Sequence, residues 1–224
     1  MIPKLFVFST AMTFTASCFA GTPIHSSKND FTENPFVAVG VNPRTGAVTG
    51  YFSARLTRPG RTDACKFAFR GVPGPDGRVR LPIKDAVPGT LGEPQMNGKD
   101  LAMLSATQGS IDIALPHSLA PGDCDWVLGA VGGPNIRTDK QGFILSMPTE
   151  TQSDYIGVAT ILSKRAVFHS APSAATARTA FLVAGDMAYV TEEKPGWYHV
   201  RFTHALKETV GWIKASDTVR FDGQ

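Results

Sequence analysis

The chain has 224 residues, of which 42% are hydrophobic and 18% charged, with a formal charge of +3 at neutral pH. That length supports one medium domain or two small ones with packed cores. The small net charge argues against a nucleic-acid partner. No stretch beyond the N-terminus is long and apolar enough to span a bilayer, so the rest of the chain is expected to be soluble.

Residues 1–20 read as a secretory signal peptide. One early cation, Lys4, precedes an apolar run from Leu5 to Phe14, and Ser17-Cys18-Phe19-Ala20 places small residues before a cut after Ala20. The chain is therefore expected to be exported, periplasmic or secreted. Cys18 offers a second processing route, because Thr15-Ala16-Ser17-Cys18 has the layout of a lipoprotein box, with Thr15 where a Leu is expected. Residues 21–34 are polar and read as a flexible lead-in.

Beyond them, Gly and Pro punctuate short apolar runs. Phe36–Val41 predicts a strand, residues 42–46 a turn, and Ala47–Leu56 a long strand. In Ala64–Arg70 the side chains of Cys65, Phe67 and Phe69 share one face, while Lys66 and Arg70 share the other. Gly74-Pro75-Asp76-Gly77 predicts a turn. Arg78–Ile83, Leu101–Ala106, Ile111–Leu115, Trp126–Val131 and Phe143–Met147 complete the expected strands, with Cys124 in a loop before the fourth of these. Strands at this spacing, without a strong amphipathic helix, predict an all-β domain over 35–150, an antiparallel barrel or sandwich. Polar residues 149–154 mark its end.

Only Cys65 and Cys124 remain after export, and an even pair in an exported chain predicts a disulfide clip. A metal pair or a catalytic thiol is the rival reading. Neither cysteine has a second Cys or His at ligand spacing, Cys65 lies in an alternating strand, and Asp123 and Asp125 beside Cys124 would raise a thiol pKa. No catalytic motif and no cofactor-binding glycine loop occurs, so catalytic residues, cofactor and metal are all expected to be none. His117 has no evident partner and reads as a plain surface residue.

From Gly157 onward come Ser170-Ala171-Pro172, Leu182-Val183-Ala184-Gly185-Asp186, Gly196-Trp197-Tyr198 and Gly211-Trp212-Ile213. Residues 157–222 resemble a bacterial Src-homology-three-like domain, with its Ser-x-Pro loop, Leu-x-x-Gly-Asp turn, Gly-Trp strand and closing Gly-Trp-Ile. The resemblance implies a small five-stranded barrel within a second domain, 155–224. Gly185-Asp186 suits a hairpin-class turn, and Gly211 a bend before Trp212. Alternation sets Trp197, His199 and Arg201 on the outer side of one strand, and Tyr198, Val200 and Phe202 on the core side.

Gly50-Tyr51-Phe52-Ser53, the segment around Cys65, and Gly122-Asp123-Cys124 make the first domain similar to exported bacterial inhibitor or calycin-like proteins. Some of these are immunity proteins against wall-degrading toxins. The resemblances imply an exported, non-catalytic binding protein that captures a protein partner. The alternative is a module that binds or scaffolds peptidoglycan, and a wall hydrolase comes third. Two candidate binding sets follow: Trp197, His199 and Arg201 in the second domain, and Arg55, Arg58 and Arg61 near one loop of the first, a basic patch suited to an acidic partner or an anionic polymer.

Overall fold

The computed structural model describes residues 24–30, 33–85, 102–107, 109–117, 120, 124–149, 153–204 and 207–219. The expected signal peptide and Cys18 lie outside them. Among these residues the protein is all-β, with three antiparallel sheets and one short α-helix.

The first sheet has the order β1 (Ser27–Lys28), β2 (Phe36–Val41), β3 (Val48–Arg58), β4 (Arg61–Gly71), β6 (Ile83–Asp85). The second has the order β5 (Val79–Leu81), β7 (Ala102–Thr107), β8 (Ser110–Pro116), β10 (Gly142–Pro148), β9 (Ile136–Thr138). Both sheets bury side chains in one core: Phe52, Phe67 and Phe69 from the first meet Leu81, Leu104, Ile113 and Leu145 from the second. This is a sandwich. Phe52 and Phe67 stack with ring centroids 4.9 Å apart.

The hairpin of β3 and β4 organises the first unit. Pro59-Gly60 closes it, with Gly60 at φ +76°, a conformation that suits glycine. Its register sets Phe52 opposite Phe67 and Arg58 opposite Arg61. With a side-chain period of two, Cys65, Phe67 and Phe69 face the sandwich core, and Tyr51, Ser53, Arg55, Lys66, Ala68 and Arg70 stand on the opposite face.

Three sequence expectations change here. Residues 78–83 do not make one strand. Pro82 has no N–H for a ladder, and the chain passes there from β5 in the second sheet to β6 in the first. Trp126–Val131 is not a strand but the body of α1 (Cys124–Val131), so Cys124 opens a helix instead of ending a loop. The lead-in supplies β1, in which Ser27 pairs with Val39 and Lys28 with Ala38. Its polar composition serves this edge: the buried Asn29 side chain accepts from Val37 N at 2.7 Å and donates to Pro35 O at 2.9 Å.

The third sheet has the order β11 (Gly157–Thr160), β14 (Met187–Lys194), β15 (Trp197–His204), β16 (Lys207–Lys214), β12 (Ala166–His169), β13 (Ala177–Leu182). It curls around Ile161, Phe168, Leu182, Val190, Val200 and Ile213, with Tyr198 and Phe202 packed against that cluster. The sheet has six strands and does not close into a barrel. Gly185, at φ +89°, sits in a turn in which Val183 N donates to Asp186 Oδ2 at 2.8 Å. It joins β13 to β14, which are not paired, so the turn is a corner and not a hairpin. Gly211 is required by crowding: a Cβ there would lie 2.9 Å from His169 O.

The third sheet covers the outer face of the first. Phe36, Ala38 and Tyr51 form one buried cluster with Tyr155, Val158, Met187 and Tyr189. Burial pushes the Tyr51 hydroxyl up to about 12 and raises that of Tyr155 as well. Val158 N donates to Thr49 Oγ1 at 2.8 Å, and a Cβ on Gly40 would lie 2.3 Å from Gly157 Cα. An isolated 155–224 fragment would expose the apolar side of this contact.

Candidate docking surface

At the tip of the β3–β4 hairpin Arg58 and Arg61 converge on one carboxylate. Arg58 Nη2 donates to Asp63 Oδ2 and Arg61 Nε to Oδ1. Asp63 is only 3% exposed. Burial alone would favour its neutral form, but the two guanidinium hydrogen bonds outweigh it and hold the carboxyl below its ordinary range.

Two residues after Asp63 on β4 is Cys65, and two residues before Trp126 on α1 is Cys124. These cysteines are joined in a disulfide across a separation of 59 residues. The bond ties α1 to the hairpin, and buried Val127 and Leu128 seat the helix on the core. Trp126 is thereby set on the outside, 54% exposed, with the Arg58 guanidinium 5.2 Å from its ring centroid. Trp126 does not stand out in the sequence, because a short apolar run does not separate strand from helix. The signal was present in the spacing of Cys124, Val127, Leu128 and Val131, which is helical.

His117 also has a partner, contrary to expectation. Its Nδ1 lies 3.0 Å from Asp125 Oδ1 in the first turn of α1, and its ring meets Phe143 edge-on at 4.9 Å. The hydrogen bond to Asp125 raises the imidazole above its ordinary value, and the Asp139 carbonyl adds to this.

The expected trio of arginines is divided. Arg55 is on the opposite face of β3 from Arg58, beside Lys66. Burial and the charge of Arg55 pull the Lys66 ammonium below its usual value, and Asp186 of the second unit acts in the opposite sense. Arg55 therefore belongs to the margin between the units.

Trp197, His199 and Arg201 do share one side of β15, and each is half-buried against neighbours. The Trp197 ring meets buried His169 edge-on at 4.8 Å. His199 Nδ1 lies 2.8 Å from Thr191 Oγ1, and its ring is 5.0 Å from that of Trp212. Arg201 is bound to Asp154, with Nη1 donating to Oδ2 at 3.0 Å, and lies 3.8 Å from Glu208. Trp212 is on this outer side under Lys194, whereas Ile213 fills the core.

With both sulfurs in the disulfide, neither cysteine offers a thiolate nucleophile. Among the described residues no group of three or more His, Cys, Asp or Glu converges as a metal site. What the hairpin tip offers chemically is an exposed aromatic ring with the Arg58 guanidinium beside it, and a second guanidinium, Arg61, held on the same carboxylate as Arg58. Comparison with protein-family models, curated proteins and solved structures finds no match to the chain.

Proposed function

We propose that this is an exported, non-catalytic binding protein of the inhibitor or immunity kind, which captures an acidic protein partner at the hairpin tip. The observation that carries the reading is exposed Trp126 under the Arg58 guanidinium, beside Arg61, on a helix clipped to the hairpin by the disulfide. Trp and Arg are the residue types that dominate binding energy at protein interfaces, and a rigid mount lowers the ordering cost of association. Two arginines against one carboxylate leave the tip positive, which favours an acidic partner.

The test is capture of proteins from a periplasmic extract, with affinity then measured on the purified partner. Trp126→Ala should weaken binding by about 2 kcal/mol or more without altering the fold. Arg58→Lys keeps a cation near Asp63 while removing the guanidinium from the Trp126 ring, and should raise the off-rate. Unchanged capture by both variants would reject this surface. Sedimentation with murein sacculi that survives high salt would favour the peptidoglycan reading instead.

A further inference from the structure

A second site lies away from the hairpin tip, where the two units meet. A cleft of about 430 Å³ opens between the outer face of β3–β4 and the β11 side of the third sheet. Clefts of this size at domain junctions are the usual place for small ligands. Its walls include Ala68, Ile156 and Val190, and its polar groups are mostly engaged. Asn42 Nδ2 donates to Glu193 Oε2 at 2.8 Å, Thr49 Oγ1 accepts from Val158 N at 2.8 Å, and Thr218 Oγ1 donates to Ala215 O at 2.8 Å.

Two groups are not engaged. Thr160 is 3% exposed, and its hydroxyl has no hydrogen-bond partner among the described residues. Along β11, Ala159 enters the core of the third sheet, whereas Val158 enters the cluster between the units. Alternation sets Thr160 on the side of Val158, toward the cleft it lines. A buried hydroxyl without a partner is unfavourable, and a bound polar group would recover that cost. The second group is Arg70, which lines the same cleft from the outer face of β4 and makes no side-chain hydrogen bond or ion pair with a described residue.

We propose that this cleft binds an N-acylated amino-acid carboxylate. Its carboxylate pairs with Arg70, its amide meets the Thr160 hydroxyl, and a small apolar side chain rests against Ala68 on the outer face of β4. The Arg70 guanidinium, without a partner among the described residues, selects the carboxylate, because the charged hydrogen bond is the stronger kind. The hydroxyl both donates and accepts, so it can serve either end of the amide. The same chemistry is presented by a free acylated amino acid and by the carboxyl end of a peptide.

The experiment is a titration of the full chain, followed by amide NMR, with N-acetylvaline, a pentapeptide ending in valine, and the C-terminal amide of each. Saturable shifts at Thr160, Arg70 and Ala68 with an acid, at least about tenfold weaker with its amide, are expected. The acid that binds more tightly identifies the source. Arg70→Gln should abolish the preference for acid over amide, and Thr160→Val should weaken the acid several-fold. Arg70→Gln breaks no side-chain hydrogen bond or ion pair to a described residue, so it keeps the test valid if Thr160→Val unfolds. Absence of saturable shifts up to tens of millimolar, equal binding of acid and amide, or an Arg70→Gln protein that retains the preference would each overturn the proposal.

Discussion

Removing the Cys65–Cys124 bond is the most informative perturbation of the first unit. The bond spans 59 residues, and in the chain-entropy model a loop of that length contributes about 4 kcal/mol by restricting the unfolded chain. In the folded protein α1 does not depend on the bond alone. Val127 and Leu128 are fully buried, and side chains of this kind contribute about 1.5–3 kcal/mol each. The double variant Cys65→Ala/Cys124→Ala should therefore keep α1 docked and Trp126 beside Arg58, yet unfold about 4 kcal/mol more easily. Urea unfolding followed by tryptophan fluorescence and circular dichroism measures both parts. A loss below about 1 kcal/mol would refute the entropic reasoning. A helix signal that melts before the global transition would refute the claim that Val127 and Leu128 seat α1.

Three further outcomes follow from the structure. Arg58→Glu/Arg61→Glu leaves the buried Asp63 carboxylate among like charges, so it should destabilise the fold, and Asp63→Asn should restore it in a thermal melt. Because Asp63 is held below its ordinary value, its contribution is present above the unfolded carboxylate pKa and is lost as pH falls through the folded one. His117 is raised, so its contact with Asp125 contributes fully below the ordinary imidazole pKa and is lost as pH rises through the elevated one. An NMR titration should show Asp125→Asn lowering the His117 midpoint. Gly40→Ala drives a methyl into the Gly157 backbone and should cost about 1–3 kcal/mol by urea unfolding, and an unchanged midpoint would mean the units do not pack this closely.

Period-two alternation was legible along β4, where Cys65, Phe67 and Phe69 share the side that the sandwich core buries. The cysteine pair was equally legible, since only two cysteines follow the signal-like segment. The common side of Trp197, His199 and Arg201 also followed from alternation. Their engagement with His169, Thr191 and Asp154 did not, because those partners are brought in by β12, β14 and the connection before β11. Arg55 and Arg58, three residues apart on β3, take opposite faces as alternation requires, but that one meets the second unit and the other α1 did not follow from it. Trp126 became a candidate only when the disulfide seated α1 on the hairpin. The cleft with Thr160 and Arg70 exists only because the third sheet covers the outer face of the first. Local spacing determines which side of a strand a residue takes. Which element arrives to meet that side is a long-range matter, decided by how the apolar faces of distant segments find cover.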